Sequence, residues 1–260
     1  MSSNKTILLL IYGIGRSTQE TNSSINSFVD RLRLLTSDLR IIYFLSKQDV
    51  VNSIRTNEFG SLPKIPKKIF NEDLRYEENI DSKDYQEILD YLKLNSIDMH
   101  NDNFYSIENL LKQLTMIKRL YDKCDISSFT YVMCLRDDIL IDVNTKIIEL
   151  ILNVKEFEVV TSSYYWNKGV CDRFLFLKSS IAKYFMNRIE YIVDYTKNGG
   201  LLTGERLLKH IIDINSFRVV SYPIRLTRVR LNGVFVSERH SLPFWNPIDL
   251  FRVLKSKVGL

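Results

Sequence analysis

The chain has 260 residues, of which 45% are hydrophobic and 26% are charged, a composition that suits one large α/β domain or two small ones. Its 9 glycines and 5 prolines argue against long linkers and low-complexity segments. The net charge is only +5, and the basic residues are scattered along the chain. Nucleic-acid-binding domains usually cluster them on one face, so we expect no nucleic-acid partner.

Cysteines and apolar runs exclude further classes. Cys124, Cys134 and Cys171 form no Cys-x-x-Cys pair, which predicts neither a disulfide framework nor a zinc site and favours a reducing compartment. The apolar run from Ile7 to Tyr12 is too short for a signal peptide, and no apolar segment has the length of a membrane span. We therefore expect a cytoplasmic protein that is at most peripherally attached to a membrane.

The first elements predict the fold class. Thr6 to Tyr12 is a continuous apolar run that ends at glycine, which is typical of a central strand in a parallel sheet. Apolar residues at helical spacing follow from Asn22, and Arg40 to Leu45 is a second strand. Strand, helix and strand make a βαβ unit. The sequence thus predicts an α/β fold with a mostly parallel central sheet flanked by helices and a Rossmann-like nucleotide-binding half.

Residues 48–103 are polar and charged, with one helix predicted near Asp84 to Leu94. We interpret this segment as an excursion from the core. It would be either a flap or insertion beside the site, or a solvated connection that carries one surface helix.

Regular patterns return at Ser106, an expected N-cap, and continue without a visible domain boundary, so we expect a single domain over residues 1–260. A loop holds Tyr164, Tyr165 and Trp166. The predicted strands are Phe129 to Leu135, Phe157 to Thr161, Asp172 to Lys178 and Phe217 to Pro223, and the predicted helices are Ser106 to Tyr121, Thr145 to Leu152, Ser180 to Tyr195, Gly204 to Ile214 and residues 246–258.

The first candidate site follows the first strand, where Tyr12 leads into Gly13-Ile14-Gly15-Arg16. A glycine turn at the carboxyl end of a parallel strand lets backbone amides approach a ligand, and Arg16 would add charge for a phosphate. The turn fits neither the dinucleotide fingerprint nor the P-loop. A purely structural turn is the alternative.

The second candidate is Arg136-Asp137-Asp138, at the end of a predicted buried strand. Adjacent carboxylates can bind a hard divalent cation that bridges two phosphates, and the arginine can contact phosphate directly. The alternative is a solvated turn in which Asp142 and Asn144 cap the next helix.

Two further carboxylates are candidate general bases. Glu205 lies in the first turn of a predicted helix, where an acid also suits the helix dipole. It would instead deprotonate a hydroxyl acceptor if it faced a cleft. Asp172, which opens a strand, is the rival base.

A late run contains Arg225, Arg228 and Arg230, followed by His240. The arginines either face a phosphate or edge a strand. His240 is either an additional metal ligand beside Asp138 or a surface residue.

Taken in chain order, these motifs resemble a group of bacterial and large-virus glycosyltransferases with a GT-A-type fold. The segments that carry the resemblance are "LLLIYGIGRSTQETNSSINSF", "ENLLKQLTMIKRLY", "FTYVMCLRDDILID", "CDRFLFLKSSIAKYF", "TGERLLKHI" and "IRLTRVRLNG". Together they correspond to a Gly-x-x-R turn, a helix with a glutamine, an Arg-x-Asp strand end, an Asp-opened strand, a Gly-Glu helix and an arginine-bearing segment.

The resemblance implies a nucleotide-sugar donor held at the first turn and a DXD-like role for Arg136-Asp137-Asp138, with Asp138 as a ligand of Mn²⁺ or Mg²⁺. A DXD motif would have a carboxylate at position 136, where this chain has arginine. The resemblance also places Glu205 beside a glycan or lipid-linked acceptor. Two alternatives stay open, a sugar nucleotidyltransferase and a non-enzymatic polyanion-binding module.

The C-terminal segment "NPIDLFRVLKSKVGL" predicts a helix with Asn246 as N-cap and Pro247 at the first helical position. Its apolar residues alternate with basic ones. It would either dock on the domain or contact an anionic membrane surface.

Overall fold

The computed structural model describes residues 5–48, 50–53, 58–163, 169–231 and 233–237. Its strands are β1 Thr6–Gly13, β2 Asp38–Ser46, β3 Val50–Ser53, β4 Glu58–Ser61, β5 Leu74–Glu78, β6 Tyr131–Arg136, β7 Ile139–Asp142, β8 Glu158–Ser162, β9 Phe174–Lys178, β10 Arg218–Tyr222, β11 Arg225–Val229 and β12 Phe235–Ser237. Its α-helices are α1 Thr18–Leu35, α2 Gln86–Asn95, α3 Tyr105–Lys123, α4 Thr145–Ile151, α5 Ala182–Met186, α6 Ile192–Lys197 and α7 Gly204–Ile214.

The main sheet confirms the predicted α/β class. Its seven strands run in the order β10, β8, β9, β6, β1, β2, β5. Neighbouring strands pair in parallel except at β9, which is antiparallel to both β6 and β8. A parallel sheet buries both faces, which is why β1 reads as an unbroken apolar run.

Helices cover both faces of this sheet. Leu8, Leu10 and Tyr12 of β1 belong to one core cluster, which also contains buried residues of α2, α3, α5 and α7. The intervening residues Ile7 and Leu9 belong to the other cluster, with α1 and α4. Successive strand residues point to opposite faces, so β1 lies at the centre of a layered α/β/α core.

The sequence predicted that residues 48–103 form an excursion from the core, but described parts of this segment belong to the core. Strand β5 pairs in parallel with β2 and extends the main sheet, and Phe70 and Leu92 are fully buried. The expected helix is present as α2, and β3 and β4 form an antiparallel hairpin. Local polarity concealed these elements because β5 is only partly buried at the sheet edge.

Two other predictions need correction. The expected helix at Ser180 to Tyr195 is interrupted into α5, a 3₁₀ turn at Arg188–Tyr191 and α6. Ser106 is not an N-cap, since Phe104 holds that position in the left-handed conformation and Ser106 donates its backbone N–H to Asp102. Asn144 does cap α4, through a 2.8 Å hydrogen bond from the Ile147 amide.

A second, three-stranded sheet brings the late arginines back to the main sheet. Strand β11 pairs antiparallel with β7 and with β12. Strand β7 begins directly after Asp138, and the Val229 amide donates to the Asp138 carbonyl at 2.9 Å. The sequence did not predict β7, and this strand is what places β11 beside the end of β6.

Cys134 and Cys171 are buried in the core, and Cys124 is partly buried. In the part of the chain that the structure describes, no helix combines the length and the apolar character that crossing a membrane requires. Three predictions concern positions outside the described residues, namely the loop at Tyr164 to Trp166, His240 and the helix expected at 246–258.

Candidate functional site

A cavity of about 760 Å³ opens at the carboxyl edge of the parallel strands, within the size range of small-molecule sites. Tyr12 of β1 pairs with Arg136 of β6 at this edge. The cavity brings together almost all the residues that the sequence singled out and the structure describes. Its walls include Tyr12, Gly13, Arg16, Arg136, Asp137, Asp138, Asp172, Glu205, Arg228 and Arg230.

The two strand-end motifs meet through Asp137. Its Oδ2 accepts a hydrogen bond from the Gly15 amide at 2.8 Å and another from the Tyr43 hydroxyl at 2.9 Å. A Cβ added at Gly13 would overlap this carboxylate. Gly15 has φ of +74°, a conformation that glycine adopts without penalty. The glycine turn is thus shaped around the Asp137 side chain.

Asp137 is only 2% exposed. Burial and, after it, the neighbouring charge of Asp138 raise the pKa of Asp137 to about 7, against the opposing hydrogen bonds from Gly15 and Tyr43. The side chain therefore fastens the turn to the sheet, while its edge still lines the cavity.

Asp138 is held by two guanidinium groups. Arg136 donates from Nε to Oδ1 at 2.9 Å and from Nη2 to Oδ2 at 2.6 Å, and Arg16 Nη2 also donates to Oδ2. Burial by itself would raise the pKa of Asp138, but the charges and hydrogen bonds of Arg136 and Arg16 outweigh it and hold that pKa well below its usual range. Asp138 is consequently a permanent anion between two cations.

A second buried carboxylate, Glu58 of β4, holds the other side of Arg16. Both Glu58 oxygens lie 3.2 Å from Arg16 Nη1, and Oε2 lies 2.7 Å from Arg230 Nη1. The Leu231 amide donates to Oε1 at 3.0 Å. Glu58 therefore joins the β3–β4 hairpin to the arginine cluster formed by Arg16, Arg136, Arg228 and Arg230.

The residues around Asp138 do not fit the divalent cation that the family resemblance implies. Both carboxylate oxygens already accept from Arg136 or Arg16. Across the described ranges, no three His, Cys, Asp or Glu side chains cluster in a way that could hold a metal ion. Two unit charges 4 Å apart interact by roughly 4 kcal/mol at an effective dielectric constant near 20. Each nearby guanidinium would repel a divalent cation about twice as strongly.

Asp172 and Glu205 form the acidic part of the cavity. Asp172 precedes β9, and Glu205 lies in the first turn of α7, whose N-cap Thr203 accepts from the Arg206 amide at 3.2 Å. A Cβ on Gly204 would overlap Oδ2 of Asp172. Glycine at this position therefore allows the Asp172 carboxylate to approach the start of α7, next to Glu205.

The environment of Glu205 suits a proton acceptor. Glu205 is only 8% exposed. Burial and, after it, the charge of Asp172 raise the pKa of Glu205 to about 7, while the charge of Arg173 acts in the opposite direction. A carboxylate that titrates near neutrality is well matched to general base catalysis.

Among the described residues, the buried Tyr12 hydroxyl and Gln113 Nε2 of the cavity wall find no hydrogen-bond partner. The other end of the Gln113 amide, Oε1, accepts from Arg136 Nη1 at 3.3 Å. Leaving such a group unsatisfied costs about 1–3 kcal/mol. Both atoms are therefore candidates for contact with a polar ligand.

The structure adds residues that sequence reasoning missed. Arg173 and Tyr105 line the cavity, Glu58 anchors the arginines and Tyr43 holds Asp137. Arg173 had a weak signal, since it follows Asp172 directly. No sequence signal pointed to Glu58, because it lies in a polar segment that only the tertiary fold brings to Arg230.

A scan against protein-family models found no match to this chain, and a search of curated proteins found none either.

Proposed function

We propose that this chain is a glycosyltransferase that moves a sugar from a nucleotide diphosphate sugar to a hydroxyl of a glycan or lipid-linked glycan acceptor. One observation carries the proposal. A single cavity holds a cluster of arginines and, on the same lining, a pair of buried carboxylates. Sugar transfer needs both, because the departing diphosphate gains negative charge while the acceptor hydroxyl loses a proton.

The arginine cluster would receive the diphosphate. Arg228 lies on β11 and Arg230 directly after its end, and both line the cavity together with Arg16 and Arg136. Planar guanidinium groups bind phosphate oxygens through paired hydrogen bonds. Their positive charge would stabilise the leaving group as its bond to the sugar breaks.

The carboxylate pair would serve the acceptor. In an inverting transfer, the acceptor oxygen attacks the anomeric carbon, the bond to the diphosphate breaks and Glu205 takes the acceptor proton. Burial and the charge of Asp172 raise the pKa of Glu205, so that Glu205 is basic enough at neutral pH. Tyr12 and Gln113 would hydrogen-bond hydroxyl groups of the transferred sugar.

The test is a panel of nucleotide sugars offered to the purified full-length chain, with slow donor hydrolysis as the readout. We expect one donor to turn over, and Glu205→Gln to abolish turnover while leaving donor binding intact. Asp213→Asn is the matched control, since Asp213 is exposed on the same helix and pairs with Lys209. If no donor binds or turns over, the proposal fails. Pyrophosphate release from a nucleoside triphosphate and a sugar phosphate would instead support a nucleotidyltransferase.

With this function, we expect the protein to act in the cytoplasm. A lipid-linked acceptor would hold it at a membrane surface. Such contact through residues 246–258 is a prediction from the sequence alone. Sedimentation with anionic liposomes, with and without this segment, would test it.

A further inference from the structure

We propose that the arginine cluster binds a diphosphate group without a divalent cation, and that Asp138 is a positioning residue for Arg16 and Arg136. This inference rests on the proposed function for the identity of the ligand, a nucleoside diphosphate. It concerns how the charge of that ligand is neutralised. It reverses the role of Asp138 that the family resemblance implies.

The first argument against a metal ion at this site comes from the hydrogen bonds that Asp138 accepts. Arg136 presents Nε and Nη2 to the two carboxylate oxygens in a side-on fork, at 2.9 and 2.6 Å. Arg16 shares Oδ2. The side chain of Asp138 is 3% exposed, so these donors cannot be exchanged for water without opening the site. A metal ion would have to displace at least one guanidinium from a buried pair.

The charge balance carries the second step. Four guanidinium groups, those of the arginine cluster, surround this part of the cavity. Asp138 and Glu58 hydrogen-bond to three of these groups, those of Arg16, Arg136 and Arg230. Three guanidinium groups that share two carboxylates attract an anion and repel Mn²⁺ or Mg²⁺.

These contacts show how each arginine of the cluster is held. Arg16 and Arg136 are fixed in orientation by Asp138, while Arg230 is fixed by Glu58. Arg228 lies on β11, where it pairs with Ile139, the residue that directly follows Asp138. A preorganised set of donors loses little freedom when the ligand binds, so the cluster can neutralise a diphosphate by itself.

The experiment is calorimetric titration of the full-length chain with inorganic pyrophosphate in buffer that contains EDTA. We expect binding under these conditions. A separate arm titrates Mn²⁺ alone, followed by the electron paramagnetic resonance signal of the free ion, and we expect no saturable binding. Pyrophosphate and Mn²⁺ are not mixed, because they form complexes in solution.

Three variants sharpen the outcome. Arg228→Gln should weaken pyrophosphate binding by about tenfold or more, since it removes a charged donor. Arg225→Gln is the matched control, because Arg225 lies on the same strand but is exposed and does not line the cavity. Asp138→Asn should retain binding in EDTA, at lower affinity. Circular dichroism confirms that each variant is folded.

The inference is overturned if wild-type protein binds Mn²⁺ and Asp138→Asn does not, or if no pyrophosphate binds in EDTA. These results differ from failure of the proposed function. Binding of pyrophosphate in EDTA without turnover of any nucleotide sugar would support the anion site and reject sugar transfer. Donor turnover that EDTA abolishes would keep the transferase and reject the cation-free site.

Discussion

Glu58 and Arg230 lie 172 positions apart in the sequence, and their side chains meet at 2.7 Å in a buried ion pair. Arg16 shares the same carboxylate. This contact joins the β3–β4 hairpin, the glycine-arginine turn and the end of β11 around one anion.

Glu58→Gln should therefore lower the free energy of unfolding by about 3 kcal/mol, because breaking a buried ion pair leaves uncompensated charge. Urea denaturation at neutral pH measures the change. Glu77→Gln is the control, since Glu77 is 40% exposed where it pairs with Arg75 and Lys47, and pairs of this kind contribute about 1 kcal/mol or less. Equal effects of the two substitutions would contradict the anchoring role.

Gly13→Ala should destabilise the fold by about 3 kcal/mol, because the added methyl group would force the buried Asp137 carboxylate away from Gly15. Gly199→Ala serves for comparison. Gly199 has φ of +78°, but no atom of the described residues lies within 4 Å of an added Cβ, so only backbone strain of about 1 kcal/mol is expected. A Gly13→Ala protein as stable as Gly199→Ala would show that Asp137 is free to move.

Tyr12→Phe should leave stability unchanged or slightly higher, because the hydroxyl it removes is buried and has no hydrogen-bond partner within the described ranges. Donor affinity should fall by about tenfold, the value of one hydrogen bond of ordinary strength. Tyr43→Phe should behave in the opposite way, with lower stability, because the Tyr43 hydroxyl donates to Asp137. Thermal unfolding and donor titration on both variants test the contrast.

The pH dependence of transfer should follow Glu205. Because the ionised form is the base, the rate of transfer should rise with pH through about 7, the value to which burial and then Asp172 raise the pKa of Glu205. Asp172→Asn removes one of these causes, so the rise should move to lower pH. A profile of kcat/KM against pH checks both statements. An unshifted rise in Asp172→Asn would mean that another group titrates.

The sequence by itself determined the class of the fold and most of the local elements. Unbroken apolar runs at β1, β2 and β6 predicted buried parallel strands, since both faces of such strands are covered. Helical spacing predicted α1, α3 and α7. A parallel sheet also brings its strand ends to one edge, so the meeting of the Gly13 turn with Asp137 and Asp138 was predictable from local patterns.

Only the tertiary structure decided what these residues do. Asp137 and Asp138 are neighbours with the same functional group, yet one accepts from an amide and a tyrosine and the other from two arginines. Their partners come from β2, β6 and the turn before α1, and all except Arg136 are separated from them in the sequence by distances that no local pattern encodes. Strand β11 and the Glu58 hairpin lie at the site only because the tertiary fold brings distant parts of the chain together. Electrostatic roles depend on such distances and on burial, and a linear sequence contains neither.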